Sequence, residues 1–252
     1  MMRPHHAESI KNMTDYYRQN PKISALFLVG SVATNTERPD SDIDGVAIIP
    51  REYYDHKKAT TGTMEVIHGK CTYEHGYFDI HFFTREHLQD FLKNGGEPMR
   101  NLFSSAQTLF CDEPDLPEIV RCISVFPEVE LEAKLLRHYC TFKQYYLYYW
   151  LCCKPEGYHR SYIANGMIFN LYRLILLENK ILFPSTRKLE ETVKNTSNKP
   201  IDIIKKCHDF MQNLSDKEAE LLIEAYENWT NYNYPKESHI IINNFQDPYE
   251  WQ

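Results

Sequence analysis

Residues 26–50 read LFLVGSVATNTERPDSDIDGVAIIP, and this stretch decides the fold. Its first four residues, 26–29, are apolar and predict a buried strand that stops at Gly30. A polar loop with turn-forming residues follows and leads into a second apolar strand. Side chains two positions apart on a strand point to the same face. The sequence therefore places Asp42 and Asp44 side by side at the start of the second strand.

Two neighbouring carboxylates repel each other. At about 4 Å the repulsion is roughly 4 kcal/mol for an effective dielectric constant of about 20. A fold tolerates this when the pair shares a proton or when a cation lies between them, and Mg²⁺ prefers carboxylates together with phosphate oxygens. A glycine after a strand lets the backbone approach a ligand, and amide groups with the Ser31 hydroxyl can hold phosphate oxygens. The stretch predicts a site for a divalent cation and a phosphorylated ligand.

A third carboxylate lies in a later apolar segment, residues 77–83, which reads YFDIHFF. Its alternation predicts a strand with Asp79 and His81 on one face. A lone aspartate in such a strand is costly unless it is paired or ligated. Asp79 is therefore a candidate ligand, and the alternative is an aspartate that caps a loop at the strand end. For His81 we expect either a direct place in the site or a hydrogen bond beside it.

The order of Gly30, Ser31, a loop of about ten residues, Asp42 and Asp44 resembles the signature of the nucleotidyltransferase superfamily related to DNA polymerase beta. The resemblance is to the small-molecule, aminoglycoside-type nucleotidyltransferases in particular. It implies that Asp79 completes the catalytic and metal-binding set. It also implies two Mg²⁺ ions, with Mn²⁺ as an alternative, and ATP or another nucleoside triphosphate as substrate.

The expected nucleotide contacts extend beyond the signature. Many relatives carry Arg-Gly shortly after Gly-Ser, whereas residues 33–36 here are Ala-Thr-Asn-Thr and the nearest cation is Arg38. The turn at residues 182–189 resembles a helix-to-helix turn in kanamycin-type nucleotidyltransferases, and a surface cation is the alternative there. A tyrosine-rich run at 145–150 could stack on a base or pack in a core. The nucleotide-binding candidates are Gly30, Ser31, Ser41, Arg38, Lys143, Arg187 and Lys188.

The resemblance implies transfer of a nucleoside monophosphate to an acceptor hydroxyl on a small molecule, with release of pyrophosphate. Asp79 is one candidate to take the hydroxyl proton, and Glu128, Glu130 and Glu132 are rivals. An aminoglycoside-like antibiotic is the leading acceptor class. The alternatives are a protein-adenylylating enzyme of toxin–antitoxin type and a catalytically inactive nucleotide-binding sensor.

The amino-acid composition limits which binding partners are expected. Lys and Arg number 28 against 35 Asp and Glu, so the net charge is −7, and no basic stripe is present. This disfavours nucleic acid as a partner and suits a cationic acceptor. The seven cysteines show neither metal-ligand nor disulfide spacing, and the N-terminus has no signal-peptide core. We expect a cytoplasmic protein with reduced thiols and no membrane segment, as a monomer or homodimer.

The remaining pattern predicts an α+β fold, with an N-terminal mixed sheet flanked by helices and a C-terminal helical bundle. A proline- and acid-rich joint at 112–117 divides a catalytic domain, 1–112, from a helical substrate-binding domain, 113–252. The chain after Tyr234 is predicted to be irregular. Helices are predicted over residues 7–20, 129–153, 158–180, 202–214 and 215–231, and a further helix is predicted to begin at Thr84, which caps it. Strands are predicted over 64–71 and 72–84. A loop or short helix is predicted over 51–61, and a helical or mixed segment over 99–110.

Overall fold

The computed structural model describes residues 2–234. The chain divides into two compact units, Met1–Val125 and Phe126–Gln252. The first contains a mixed sheet flanked by helices, and the described part of the second is helical, which confirms the predicted α+β fold class. The predicted irregular tail, residues 235–252, lies outside the described residues. The division into catalytic and substrate-binding domains stays a prediction.

The sheet of the first unit has five strands in the order β3-β4-β2-β1-β5. β2 and β4 are parallel, and the other neighbouring pairs are antiparallel. The two strands that carry the predicted carboxylates are therefore adjacent and run in the same direction. The strands are β1 (Ala25–Leu28), β2 (Ile43–Ile48), β3 (Met64–His68), β4 (Tyr77–Phe83) and β5 (Gln107–Cys111).

Helices cover both faces of this sheet, because its central strands are apolar on both sides. One face packs against α1 through residues such as Met13 and Phe82, and the other packs against α4, α5 and α6 through residues such as Phe27 and Val120. The helices of the first unit are α1 (Pro4–Arg18), α2 (Gly30–Ala33), α3 (Arg51–Thr60), α4 (Arg85–Asn94), α5 (Glu97–Phe103) and α6 (Leu116–Ile123). As predicted, Thr84 caps α4 by accepting the N–H of His87.

The second unit is built around the buried helix α8, whose central residues are enclosed by apolar side chains from the neighbouring helices. The Ser215 hydroxyl accepts the N–H of Glu218, which is the serine half of the predicted capping box. The elements of the second unit are a 3₁₀ turn (Glu128–Glu130), α7 (Leu131–Gln144), a π-helix (Tyr145–Cys152), α8 (Gly157–Glu178), α9 (Leu189–Asn195), α10 (Ile203–Asn213) and α11 (Asp216–Glu227).

Three local features differ from the sequence prediction. The chain after β1 enters the single helical turn α2 before the loop. Residues 107–111 form the edge strand β5. Its first two residues, Gln107 and Thr108, are polar and exposed, so the segment lacks the apolar pattern by which a strand is predicted. The predicted long helix changes to a π-helix at Tyr145. The Tyr145 ring packs against Gly166 of α8, and a β carbon at Gly166 would lie 2.0 Å from that ring. Contact with α8 thus sets a geometry that residue spacing alone does not reveal.

Candidate active site

The three predicted aspartates converge at one end of the parallel strand pair. Asp44 of β2 and Asp79 of β4 are register partners, and Asp42 lies in the turn just before β2. One carboxylate oxygen from each residue lies within 4.8 Å of the others. All three side chains are partly exposed, so a ligand can reach them. We call this group the aspartate cluster.

Gly30 forms the wall behind Asp44. A β carbon at Gly30 would lie 2.0 Å from Asp44 Oδ2, and the residue has φ of +71°, which L side chains rarely adopt. The Asp44 carbonyl accepts the N–H of Val29, which links the end of β1 to the start of β2. The absence of a side chain at Gly30 therefore lets the Asp44 carboxylate lie against the backbone at the start of α2.

Asp79 has an oxygen without a hydrogen-bond partner. Its Oδ1 is buried from solvent, and among the described residues none donates a hydrogen bond to it. His81 Nε2, on the same face of β4, is 3.9 Å away, beyond hydrogen-bonding distance. His81 thus lies beside the cluster. A buried carboxylate oxygen without a donor is costly, and a bound cation would remove that cost.

Tyr77 borders the cluster from the start of β4. Interaction of its hydroxyl with the Asp42 carboxylate, together with the negative charges of Asp42, Asp79 and Asp44, raises the pKa of Tyr77 above its ordinary value. The phenol therefore stays protonated beside the cluster. Tyr77 is two positions before Asp79, so the alternation predicted for residues 77–83 puts both on one face, but the sequence analysis assigned Tyr77 no role.

Hydrogen bonds hold the loop that leads into Asp42, and one of them comes from a residue outside the Gly30–Asp44 sequence signature. The Tyr73 hydroxyl donates to the carbonyl of Ser41, and the Ser41 hydroxyl accepts the N–H of Arg38 at 2.9 Å. Ser41 is buried, so its hydroxyl is part of the loop's own turn. Arg38 is exposed, and its Nε donates to Asp40 Oδ1 at 3.2 Å. The nucleotide contacts predicted for Ser41 and Arg38 stay predictions.

A buried histidine of α1 lies against a glutamate of the same loop. The His6 side chain is fully buried on α1, and its Nδ1 is 3.9 Å from Oε1 of Glu37, which is also buried. Burial lowers the pKa of His6, as does the adjacent His5. The ring of Tyr73 packs edge-on against His6, with centroids 4.9 Å apart. The sequence analysis missed this group, because its members are far apart in the chain and no local motif joins them.

The other predicted site residues lie in the second unit. Lys143 is buried on α7, and its Nζ donates to Glu227 Oε1 at 2.7 Å. Arg187 and Lys188 lie just before α9, where Arg187 is exposed. Their nucleotide contacts, and the proposed base among the three glutamates at 128, 130 and 132, stay predictions.

The donor set fits a divalent cation. Hard cations such as Mg²⁺ and Mn²⁺ take carboxylate oxygens, and the aspartate cluster offers one from each of three residues within 4.8 Å. The unpartnered Asp79 Oδ1 and the close approach of Asp44 to Gly30 both agree with a site that is built for a ligand.

The segment that carries the aspartate cluster matches a known protein family. Residues 11–113 match the family described as "Polymerase beta, Nucleotidyltransferase". This segment is therefore similar to the nucleotidyltransferase domains of the polymerase beta superfamily. It contains the whole sheet and all three aspartates, so the resemblance seen in the sequence is confirmed at the level of the superfamily.

A nucleotidyltransferase-like protein from Exiguobacterium sibiricum is similar in structure at 13% sequence identity. The alignment covers 88% of this chain and 73% of that one, with a TM-score of 0.43. No curated protein matches the chain. Among the described residues, no helix is both long and apolar enough to cross a membrane.

Proposed function

We propose that this protein transfers a nucleoside monophosphate, AMP from ATP in the first instance, to a hydroxyl of a small-molecule acceptor and releases pyrophosphate. The aspartate cluster carries this proposal, since three carboxylates within 4.8 Å lie in a domain of the polymerase beta superfamily. Phosphoryl-type transfer needs mainly positioning and charge stabilisation, which such a cluster supplies through bound cations.

Asp42, Asp44 and Asp79 would hold the divalent cations. When bound, Mg²⁺ or Mn²⁺ neutralises phosphate charge and lowers the pKa of a coordinated hydroxyl. Asp42 and Asp44 are two positions apart in the chain and would bind the same cations. Asp79, on the neighbouring strand, would lie nearest the acceptor hydroxyl and take its proton. Gly30 lies against Asp44, so we assign Gly30 and Ser31 to the triphosphate.

The net charge of the chain supports one acceptor class. The net charge of −7 favours a cationic acceptor, and a hydroxyl-rich amine such as an aminoglycoside satisfies both that charge and the need for a hydroxyl nucleophile. The same charge disfavours a polyanionic acceptor such as nucleic acid.

The test is pyrophosphate release from ATP and Mg²⁺ across aminoglycosides, lincosamides and simple polyols. We expect release that depends on one acceptor class and is lost in Asp44→Asn. Asp55→Asn is the matched control, because Asp55 is exposed on α3 and pairs with Arg51, remote in sequence from the cluster. Release that continues at the wild-type rate in Asp44→Asn would overturn the role of the cluster. ATP binding without release from any acceptor would overturn the small-molecule acceptor.

A further inference from the structure

The sheet face that carries the aspartate cluster continues onto the edge strand β3. Val66 of β3 is the register partner of Asp79 of β4, and Asp79 is in turn the partner of Asp44 of β2. Paired residues of neighbouring strands point their side chains to the same face of a sheet. Val66, Asp79 and Asp44 therefore form one row across three strands, with Val66 next to Asp79.

The outer end of this row is apolar and exposed. Met64 and Val66 are 52% and 45% exposed, and as residues two apart on a strand they share a face and lie about 7 Å apart. The other face of β3 is directed toward α1, because Ile67 packs into the core on that side and Glu65 accepts a hydrogen bond from Tyr17 of α1. We call Met64 and Val66 the apolar shelf.

The apolar shelf has a polar border on its inner side and an open outer side. Asp79 and His81 of β4 are the register partners of Val66 and Met64, and the His81 side chain is 42% exposed. In the part of the chain that the structure describes, β3 is the outermost strand at this end of the sheet. A molecule lying here would contact exposed apolar surface and a carboxylate at the same time, so the surface suits an amphipathic ligand.

The parts of the site follow a fixed order across the sheet. Gly30 lies against Asp44 on the β1 side, and Val66 is paired with Asp79 on the β3 side. Neighbouring strands are about 4.8 Å apart, so Val66 is about one strand spacing from Asp79 and about two from Asp44. With the triphosphate at Gly30 and the acceptor hydroxyl at Asp79, the group attached next to that hydroxyl lies over β3.

We propose that the apolar shelf binds an apolar group of the acceptor. The acceptor is then an amphipathic molecule, with its hydroxyl beside Asp79, an amine attracted by the carboxylates, and a short alkyl or alicyclic group against Met64 and Val66. Covering the shelf removes apolar surface of both partners from water, which favours binding. The role of the shelf rests on the proposed function, because that function puts the acceptor hydroxyl at Asp79.

The test compares two acceptors that differ only in their apolar group, the methyl and hexyl glycosides of glucosamine. Both carry the same amine and the same ring hydroxyls. Their binding to the full chain is measured by calorimetry with Mn²⁺ and α,β-methylene-ATP, which does not transfer its nucleotide. We expect the hexyl glycoside to bind at least about fivefold more tightly than the methyl glycoside.

Variants assign this preference to the shelf. Val66→Thr keeps the shape of the side chain and replaces a methyl group with a hydroxyl, and Met64→Gln keeps its length. Each should reduce the preference for the hexyl glycoside to about twofold or less. Val66→Ile keeps the apolar surface and should retain the preference, which separates loss of that surface from a disturbed strand. Val125→Thr makes the same chemical change at an exposed position outside the sheet and should also retain it.

Equal binding of the two glycosides by the wild type, or an unchanged preference in both Val66→Thr and Met64→Gln, would overturn the apolar shelf as an acceptor site. Light scattering tests the other occupant of an exposed edge strand: a dimeric wild type and a monomeric Val66→Thr would assign the shelf to a second copy of the chain and overturn the proposal.

Pyrophosphate release with ATP and Mg²⁺ separates the shelf from the reaction. We expect kcat/KM to show the same preference for the hexyl glycoside, through KM, and to lose it in Val66→Thr. A preference in binding without release from either glycoside would contradict the proposed transfer and not the apolar group that the shelf binds. Release from both glycosides with equal kcat/KM would contradict the shelf and not the transfer.

Discussion

The carboxylate of Asp44 occupies the space where a side chain on Gly30 would begin. A β carbon at Gly30 would lie 2.0 Å from Asp44 Oδ2, and φ at Gly30 is +71°. Two independent constraints therefore require glycine at this position: the backbone conformation and the close approach of a carboxylate. The glycine after β1 acts on the cluster as directly as the aspartates that it supports.

Gly30→Ala should displace Asp44 and abolish metal-dependent activity. The left-handed conformation alone costs about 1–2 kcal/mol for a residue with a β carbon, and the steric clash adds to this. Mn²⁺ binding by calorimetry and pyrophosphate release measure the effect on the site. Gly62→Ala is the matched control, because Gly62 has φ of +88° and open space around the added carbon. We expect that control to lose stability but to keep metal binding. Equal metal binding in both variants would contradict the role of Gly30.

The sequence was sufficient to predict this part of the molecule because its signals are local. Alternation in residues 77–83 places Asp79 and His81 on one face, and β4 has that pattern of burial. The spacing of Asp42 and Asp44 predicts a shared face, and the two carboxylates meet. What brings Asp79 to them is the parallel pairing of β2 with β4. The superfamily resemblance implied that Asp79 completes the set, but the strand pairing itself was not predicted.

The supporting contacts could not be predicted, because they join residues that are distant in the chain. Tyr73 reaches the carbonyl of Ser41, 32 positions earlier, and His6 lies beside Glu37. The edge strand β5 has exposed polar residues where a strand pattern would need apolar ones. Such features follow from tertiary packing, and neither periodicity nor composition records them.

Asp79→Asn should stabilise the metal-free protein and remove its response to metal. One negative charge fewer within 4.8 Å of two others relieves repulsion, and for these partly exposed groups we expect a gain of about 1–2 kcal/mol in unfolding free energy. Urea unfolding in a chelator measures this gain. With Mg²⁺ added, the wild type should gain stability and the variant should not. Asp55→Asn should gain no stability in the chelator and should respond to Mg²⁺ as the wild type does. A destabilised metal-free Asp79→Asn would contradict the repulsion.

Arg100→Lys should destabilise the first unit strongly. Arg100 is buried, and its guanidinium donates to four backbone carbonyls between 2.7 and 3.2 Å, those of Gly95, Leu92, Ile123 and Val125. Lysine has three donors on a flexible stem and cannot reproduce this planar geometry, so buried carbonyls would be left without donors. We expect a loss of about 3 kcal/mol in unfolding free energy.

Urea unfolding with Arg121→Lys as reference measures that loss. Arg121 lies on α6 and pairs with Glu118 at the surface, so its replacement should change stability by about 0.5 kcal/mol or less. If Arg100→Lys and Arg121→Lys were equally stable, the carbonyl contacts of Arg100 would not support the packing of α4, α5 and α6.

His6 should make the stability of the fold depend on pH. Burial lowers the pKa of His6 in the folded state, so as pH falls below about 6.5 the unfolded chain binds a proton that the folded chain does not. The unfolding free energy therefore falls as pH drops through this window, by up to about 1.4 kcal/mol for each unit by which the pKa is lowered. The loss stops once pH is below the pKa of the folded state.

His6→Phe keeps an aromatic ring at this buried position and removes the titrating group. Its unfolding free energy should fall less than that of the wild type between about pH 7.5 and 5.5. Some dependence should persist in the variant, because burial also lowers the pKa of His87. His56→Phe, at an exposed position on α3, should keep the full wild-type dependence. An unchanged pH slope in His6→Phe would show that His6 is not the group that couples protonation to folding beneath the Asp42 loop.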